Sequence, residues 1–495
     1  MGYAEAIRPI RNRMRRFEYA SVLKQISAYL QVDADGNDKR APRLPWVAER
    51  LALWALRDEP RMYGCTPMEA RDLVKCMNEA WRTMDTAIEW SRHGNPIDLF
   101  VRSVLLVQAP HQTAVGFGAF ARQIDLLNRL DPASRLSVAL RDAVGMPTAD
   151  YLQLAVFFWL REEGRVQEVF ERGYWQALTT AFGASNIESF LKTMFKSREA
   201  ICSEMGQVDE DEWFQPNLLY RFPFVVHNRH PFFWGTPTLR RHFEYVFSDI
   251  VGRSEDPKVR QPFEDMFESY AGESLHRSGL EVLSEREVTQ RFAVKGPCCD
   301  FAVIERTAVV LFEVKNKALA HTLPASASVR TYRSKLRATL VKAARQLGNV
   351  TAHIFRTAGY EQMRVRHVIV TYGDLMLGSA SFLFEEIAEG DAPVVLSIDQ
   401  LDRLIEAVRL NQCSFTNFFD DYQERQAELA TRLFSPAQLL EYPPYQLTSN
   451  PRHIADIFNP FFERLSRRLG ADVDGGDSPI RIEVPLEASV VCENT

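Results

Sequence analysis

Two apolar, β-branched segments separated by a short polar stretch constrain the fold of this chain more than any other feature. Residues 298–304 and 309–314 both have a strand-forming composition, and the polar residues 305–307 lie between them. A separation of this length predicts a β-hairpin. The pairing of the two strands then decides which side chains come together at the ends of the hairpin.

The segments around this hairpin alternate between helical and strand periodicity. Helices are predicted at 262–275, 330–347 and 399–410, and further strands at 279–288, 365–372 and 394–397. From residue 262 to 372 the order is therefore α-β-β-β-α-β. This order predicts an α+β fold in which a mixed sheet is flanked by helices.

The rest of the chain is predicted to be mostly helical. Apolar residues recur at helical spacing in 47–56, 68–84, 117–130, 152–160 and 190–205. We predict a large helical domain over 1–250 with an aromatic- and proline-rich junction at about 209–238, an α/β domain over 251–400, a C-terminal helical region over 401–469 and a flexible acidic tail over 470–495. The sequence does not indicate whether the N-terminal domain binds, senses or assembles.

The composition is that of a soluble globular protein, with 46% hydrophobic and 25% charged residues in 495. Apolar runs fall short of the roughly 20 residues of a spanning helix, so we expect no membrane association. Seven cysteines without a CxxC pair favour reduced thiols and a cytoplasmic location. The net charge of −6 lies mainly in residues 470–495, which hold six acidic residues and one arginine. Nucleic-acid binding would therefore depend on local basic patches.

The predicted hairpin carries two carboxylates and a lysine at one end. Glu313 and Lys315 point the same way because residues i and i+2 of a strand share a face. A turn at 305–307 can bring Asp300, in the preceding strand, alongside Glu313. Such oxygen ligands suit Mg²⁺ or Mn²⁺, which can activate water and stabilise charge on a phosphate. Lys315 can orient that water or help to deprotonate it.

This arrangement resembles the PD-(D/E)xK superfamily, the fold of many restriction endonucleases and repair nucleases, over about residues 260–400. The resemblance implies that Asp300, Glu313 and the backbone carbonyl of Val314 are metal ligands and that Lys315 is the catalytic lysine. It departs from the superfamily pattern in one place, because Cys299 rather than proline precedes the aspartate.

Two helices extend the resemblance. The segment 263–270 is similar to the superfamily's first helix, which implies Glu264 as an outer metal ligand, with Glu268 one turn later as the substitute. The segment 344–347 is similar to the helix after the third strand, which implies that Gln346 belongs to the catalytic group. A solvated strand edge remains an alternative, because a Glu-x-Lys triplet is expected by composition alone; Asp256-Pro257-Lys258 is a comparable triplet outside the pattern.

Basic residues on the helix predicted at 330–347 favour a polyanionic partner. Lys335 and Lys342 lie on one side, and Arg333 and Arg337 on another, where they could contact phosphates. Asn316 and Lys317 follow the Glu-x-Lys triplet and could contact a nucleic-acid backbone; these six form the predicted nucleic-acid-binding set. A solvated basic face explains the helix nearly as well.

The resemblance implies a metal-dependent nuclease that uses Mg²⁺ or Mn²⁺, with DNA favoured over RNA. A helical domain joined to such a nuclease is compatible with a bacterial restriction, repair or antiviral defence effector whose helical domain senses a trigger, recruits a protein or self-associates. Two alternatives stay open. The nuclease-like domain could be catalytically silent and only bind nucleic acid, or it could be inactive until a partner meets the helical domain.

Overall fold

The computed structural model describes residues 3–31, 44–87, 116–164, 172–205, 218–317, 334–375, 380–384, 392–428 and 434–469, together with residues 108, 111, 377, 430 and 431. The fold is mixed α/β, with a five-stranded mixed sheet flanked by helices. This confirms the predicted architecture of the α/β region, whereas the likeness to restriction endonucleases stays a prediction. Arg333, residues 209–217 and the tail 470–495 lie outside the described residues.

The described N-terminal half is built mainly from helices, and the predicted segments 47–56, 68–84, 117–130 and 152–160 coincide with four of them. In order these are α1 (Tyr3–Met14), α2 (Tyr19–Gln31), α3 (Pro45–Arg57), α4 (Ala70–Ala87), α5 (Phe117–Asn128), α6 (Arg135–Val144), α7 (Thr148–Gly164), α8 (Arg172–Phe182) and α9 (Ala184–Met194). Short 3₁₀ turns occupy Pro60–Met62 and Leu218–Arg221.

The segment 190–205 is not the single helix that its periodicity predicts. Helix α9 ends at Met194, strand β1 (Phe195–Ser197) follows, and α10 (Arg198–Glu204) begins after it. The Ser197 hydroxyl accepts a hydrogen bond from the Ala200 backbone N–H, which caps the new helix. Pairing of β1 with a second strand therefore overrides the local helical pattern.

The described part of the predicted junction forms a small sheet. Strands β2 (Phe224–His227) and β3 (His230–Phe233) form a hairpin, and β1 pairs in parallel with β2. The two turn residues, Asn228 and Arg229, have φ values of 49° and 67°, as a type I′ hairpin turn requires. The Phe224 ring stacks on neighbouring phenylalanine rings at centroid distances of 4.3 and 4.6 Å. The aromatics are therefore packed, as predicted, but on a hairpin.

The C-terminal half contains the five-stranded sheet and its covering helices. Their order is α11 (Thr236–Arg253), α12 (Pro257–His276), β4 (Glu281–Ser284), α13 (Glu285–Phe292), β5 (Phe301–Ile304), β6 (Ala308–Lys315), a π-helical turn (Arg337–Val341), α14 (Lys342–Ile354), β7 (Arg364–Thr371), α15 (Ser381–Phe384), β8 (Val394–Ser397), α16 (Ile398–Arg409), α17 (Phe415–Ala427), α18 (Pro436–Leu439) and α19 (Arg452–Arg468).

The sheet has the order β4-β5-β6-β7-β8. The first three strands are antiparallel, and β6, β7 and β8 are parallel. The predicted hairpin is confirmed, with Phe301 opposite Phe312 and a turn in which the Glu305 N–H donates to the Ala308 carbonyl at 2.9 Å. The strand predicted at 279–288 ends early, because Ser284 and Glu287 form a capping box that starts α13.

Helices cover both faces of the sheet. Side chains such as Val303 and Val310 pack towards α12, and those such as Ala302 and Leu311 pack towards α14. The first set belongs to a cluster of buried residues that runs from Phe117 to Leu465 and so includes α5, α7 and α11. A separate cluster is formed mainly by α1–α4 with parts of 201–234. The helices after residue 116 thus share their core with the sheet, a grouping that differs from the predicted boundary at residue 250.

Within the described ranges, every helix is too short or too polar to cross a lipid bilayer. The six cysteines that fall in those ranges are all free thiols.

Candidate active site

The hairpin places Asp300 and Glu313 at the same level of the sheet. Asp300 directly precedes β5 rather than lying within it, and the register that pairs Phe301 with Phe312 continues to Asp300 opposite Glu313. The Asp300 Oδ2 atom accepts a hydrogen bond from the Val314 backbone N–H at 2.6 Å. This bond fixes the aspartate carboxylate to the end of the neighbouring strand.

Lys315 bridges two oxygen atoms at the end of β6. Its Nζ lies 2.5 Å from Glu313 Oε1 and 3.0 Å from the Val314 carbonyl oxygen. The Glu313 side chain is only 1% exposed, and its Oε2 atom is buried with no hydrogen-bond partner among the described residues. The ammonium therefore contacts two of the four groups that the resemblance implies as metal ligands, namely Glu313 and Val314.

The Lys315 ammonium does not fully balance the two carboxyl groups of Asp300 and Glu313. Burial and the neighbouring Asp300 charge raise the pKa of Glu313 to about 8, although Lys315 opposes this shift. Burial also raises the pKa of Asp300, against the opposing effects of Lys315 and the Val314 N–H. One ammonium is thus set against two desolvated carboxylates, an imbalance that a bound cation would relieve.

Helix α12 contributes a third acid to this cluster. This acid is Glu268, whereas the resemblance implied Glu264 first. Burial, followed by the Asp300 charge, raises the pKa of Glu268 to about 7, and the Glu268 charge in turn raises the pKa of Glu313. The Glu264 side chain is 38% exposed and lies 3.9 Å from Arg260, and its charge acts on Lys317. The structure therefore groups Glu268, the substitute, with Asp300 and Glu313.

A close approach between α12 and β5 explains this arrangement. A Cβ atom at Gly272 would come within 2.5 Å of the Phe301 ring, so only glycine lets the helix lie this near the strand. Glu268 precedes Gly272 by one helical turn, and residues i and i+4 share a helix face. The contact at Gly272 thus directs Glu268 towards the end of β5 where Asp300 lies.

Glu285 is a fourth acid near the cluster, and the sequence analysis missed it. The register that pairs Ser284 with Phe301 continues to Glu285 opposite Asp300. Burial is the main cause of the raised pKa values of Asp300 and Glu268, and the Glu285 charge raises both further. Glu285 is exposed at the first position of α13. Pairing of the predicted strand 279–288 with the hairpin could have revealed it.

Gln346 positions the chain that leads into Asp300. Its Nε2 donates to the Cys298 carbonyl oxygen at 3.0 Å, and its Oε1 is buried without a described hydrogen-bond partner. Asn349, one turn later on α14, donates to the Pro297 carbonyl at 2.7 Å. These two amides hold the segment before β5 and so link α14 to the acidic cluster. The resemblance implied Gln346 as a member of the catalytic group and did not indicate Asn349.

The predicted nucleic-acid-binding residues divide into two groups. Lys335, Arg337 and Lys342 are exposed around the π-helical turn, which has i to i+5 hydrogen bonding and so breaks the regular spacing predicted for this helix. Asn316 and Lys317 are partly buried at the end of β6, where burial and the Arg260 charge lower the pKa of Lys317.

The donors of the cluster are of the type that a hard cation prefers, but they supply only part of its ligand set. Within the described residues, no three His, Cys, Asp or Glu side chains lie at metal-ligand spacing. Asp300, Glu313 and the Val314 carbonyl nevertheless form a set of oxygen donors, which is what Mg²⁺ and Mn²⁺ prefer. The buried, unpartnered Glu313 Oε2 is the observation that favours a cation here.

Comparison of the chain with protein-family models, with curated proteins and with solved structures gives no match.

Proposed function

We propose that the protein is a metal-dependent nuclease that hydrolyses phosphodiester bonds of nucleic acid. One observation carries the proposal. Two desolvated carboxylates, Asp300 and Glu313, lie level across a hairpin with the Lys315 ammonium between Glu313 and the Val314 carbonyl. Buried acids with raised pKa values and an incompletely satisfied oxygen are concentrated at functional sites more often than at solvated strand edges.

Each residue has a chemical role in this proposal. Asp300, Glu313 and the Val314 carbonyl would hold Mg²⁺ or Mn²⁺, and the acids on α12, Glu268 before Glu264, would add an outer carboxylate. The bound ion would supply an activated water and stabilise negative charge on the phosphate. Lys315 would leave Glu313 when the ion binds and orient the attacking water. Gln346 would keep Asp300 in place through the Cys298 carbonyl.

The substrate assignment rests on the resemblance and on the basic residues. DNA is favoured over RNA because most members of the PD-(D/E)xK superfamily act on DNA. Exposed Lys335, Arg337 and Lys342, with Asn316 and Lys317 nearer the acids, would contact phosphates. We further propose a cytoplasmic role in bacterial restriction, repair or antiviral defence, in which the helical region recruits a protein or self-associates.

The decisive experiment is a cleavage assay on the full chain. End-labelled single- and double-stranded DNA and RNA are incubated with Mg²⁺, Mn²⁺ or EDTA, with the wild type beside Lys315→Ala. Lys258→Ala is the matched control, because Lys258 belongs to the similar triplet Asp256-Pro257-Lys258 but is exposed on the first turn of α12. Cleavage should require metal, persist in the control and be lost in Lys315→Ala.

Cleavage that survives Lys315→Ala would refute the assignment of the site. Absence of cleavage by every protein would leave the silent and the gated alternatives, which metal binding separates. Calorimetric binding of Mn²⁺ that weakens in Asp300→Ala indicates an intact but inactive site, whereas no Mn²⁺ binding indicates a silent domain.

One observation favours gating as the second candidate. Helix α12, which carries Glu268, also carries Tyr270, whose hydroxyl donates to Asp402 at 2.9 Å. Asp402 in turn accepts from Arg122 of α5 at 3.0 Å. A buried polar chain thus joins the helical region to the helix that borders the candidate site.

A further inference from the structure

A small cavity lies between α11 and elements of the N-terminal half, and it shares no residue with the acidic cluster. Its volume is about 150 Å³, and it is bordered by α6, α9, β1, α10, α11 and the 3₁₀ turn Leu218–Arg221. The apolar side of the wall includes Val144, Val246 and Ile250, and the polar side includes Lys196, Arg221 and Arg253. The cavity is therefore amphipathic, as binding sites for small molecules commonly are.

The acidic residues of the wall are already neutralised by its guanidinium groups. Arg221 lies 2.8 Å from Asp249 and 3.3 Å from Glu204, and Arg253 lies 3.6 Å from Asp249. Two acids are thus shared between two arginines. No negative charge of the described wall remains to balance another cation.

Lys196 is that other cation. It is half-buried on β1 and makes no ion pair or side-chain hydrogen bond with any residue of the described ranges. Burial, with the Arg253 charge, lowers the pKa of Lys196, and the Glu204 charge opposes this effect. A desolvated ammonium without a counterion is unfavourable, and a bound anion would remove this penalty.

The histidine of the wall does not compensate Lys196. His242 is buried, and its Nε2 lies 3.2 Å from the Tyr151 hydroxyl. Burial, followed by the Lys196 charge, lowers the pKa of His242 to about 3, so the imidazole is neutral. With His242 neutral and the acids paired, the wall carries one net positive charge at Lys196.

We propose that this cavity binds a small organic anion, with a carboxylate or phosphate group on the Lys196 ammonium and an apolar part against Val144, Val246 and Ile250. The size of the cavity fits this class, since an apolar cavity of about 150 Å³ accommodates benzene. The site does not depend on the proposed nuclease activity, because it shares no residue with the acidic cluster.

The test is ligand-dependent thermal stability and calorimetry on the full chain. Benzoate and phenyl phosphate are titrated at constant ionic strength with chloride as reference, so that the two arms distinguish a carboxylate from a phosphate. The wild type is compared with Lys196→Met and with Lys192→Met, a control for an exposed lysine that pairs with Glu188 at 2.6 Å. At least one probe should bind saturably to the wild type and the control, and roughly tenfold more weakly or worse to Lys196→Met.

Two results would overturn the proposal. One is that neither probe binds saturably to the wild type; the other is that Lys196→Met binds as the wild type does. A third measurement is made without added anion. Lys196→Met, or Lys196→Gln if the first variant does not fold, should melt at a higher temperature than the wild type, because an uncompensated charge is removed. A lower melting temperature would mean that Lys196 has a counterion within the protein and would also refute the site.

Discussion

Asp402 and Glu313 are both buried carboxylates with 1% of the side chain exposed, yet their surroundings have opposite effects. Asp402 on α16 accepts hydrogen bonds from Arg122 at 3.0 Å and Tyr270 at 2.9 Å, and its other oxygen lies 3.3 Å from His453 Nε2. Burial alone would raise the pKa of Asp402, but these partners lower it. At Glu313 the pKa is raised, and one oxygen has no described partner.

The comparison separates a structural charge from a candidate functional one. A buried carboxylate with several donors is stabilised as an anion, and removal of one partner leaves the others without compensation. A buried carboxylate with a single ammonium partner is retained at the expense of stability, which is a common property of functional sites. Burial by itself therefore does not distinguish the two centres, and neither does an oxygen without a hydrogen bond, since Asp402 Oδ1 lacks one as well. The number of partners around each carboxylate as a whole does distinguish them, because Asp402 has Arg122, Tyr270 and His453 whereas Glu313 has Lys315.

The largest predicted effect on stability is at Asp402. Asp402→Ala should lower the free energy of unfolding by about 3–5 kcal/mol, because it leaves the Arg122 guanidinium buried without its inner partner. Asp399→Ala is the matched control. Asp399 contacts the same arginine at 2.9 Å, but its side chain is 56% exposed, so the loss should be about 0–1 kcal/mol. Urea denaturation at neutral pH measures both. Equal losses would contradict the distinction between the buried and the exposed partner.

At Glu313 the predicted effects on stability and activity have opposite signs. Because the pKa of Glu313 is raised to about 8, folding near pH 7 must either bury its charge or bind a proton. Glu313→Gln removes this cost and keeps an oxygen for Lys315, so the metal-free protein should gain about 1–3 kcal/mol in urea denaturation. Cleavage should fall by a factor on the order of 10²–10⁴ if the carboxylate acts in the chemistry. A loss of stability like that of Asp402→Ala would show that Glu313 is a structural charge, and Glu313 and Asp402 would then not differ in kind.

A smaller effect should distinguish the two acids of α12. Glu268→Gln should weaken Mn²⁺ binding about 10–100-fold, a range typical of groups that orient or support metal ligands. Glu264→Gln should change Mn²⁺ binding by less than about threefold, because the Glu264 side chain is 38% exposed beside Arg260 and charges near the surface are screened. Calorimetric titration of the two variants makes the comparison. A larger effect at Glu264 would favour the first choice made from the sequence.

Local sequence patterns predicted the centre around Glu313 but not the one around Asp402. The hairpin, the facing of Asp300 and Glu313, and the shared face of Glu313 and Lys315 all follow from strand alternation and a short turn. The bond between Arg122 and Asp402 joins residues 280 positions apart, for which no local pattern exists. Such contacts depend on how helices pack, which sequence periodicity does not specify.

The same limit explains the order of Glu264 and Glu268. Both lie on nearly the same face of α12, so helical periodicity cannot choose between them. Whether Glu264 or Glu268 faces the cluster depends on the approach of Gly272 to Phe301, because this contact determines which turn of α12 lies over the strand ends. Glu285 was missed for a related reason, because the capping box at Ser284 ends a segment that reads as a longer strand.

His242 gives a third case, a buried titratable group that remains neutral. Its ring contacts the Tyr151 hydroxyl, and the Lys196 charge disfavours its protonation. Because burial lowers the pKa of His242 to about 3, the unfolded chain binds a proton near pH 6.5 that the folded protein does not. Its effect on stability is therefore absent above about pH 7 and becomes destabilising as the pH falls from 6.5 towards 3.

The loss of stability through His242 can be isolated by comparing how the stability of the wild type and of two variants depends on pH. At pH 5.5 the wild type should have lost up to about 1.4 kcal/mol through His242 relative to pH 7.5, whereas His242→Gln, which cannot titrate, should lack this component. His276→Gln, the same substitution at an exposed position, is the matched control. Urea denaturation of the three proteins between pH 5 and 8 gives the slopes. Identical slopes for His242→Gln and the wild type would mean that the folded protein accepts the proton, and that burial beside Lys196 does not keep this ring neutral.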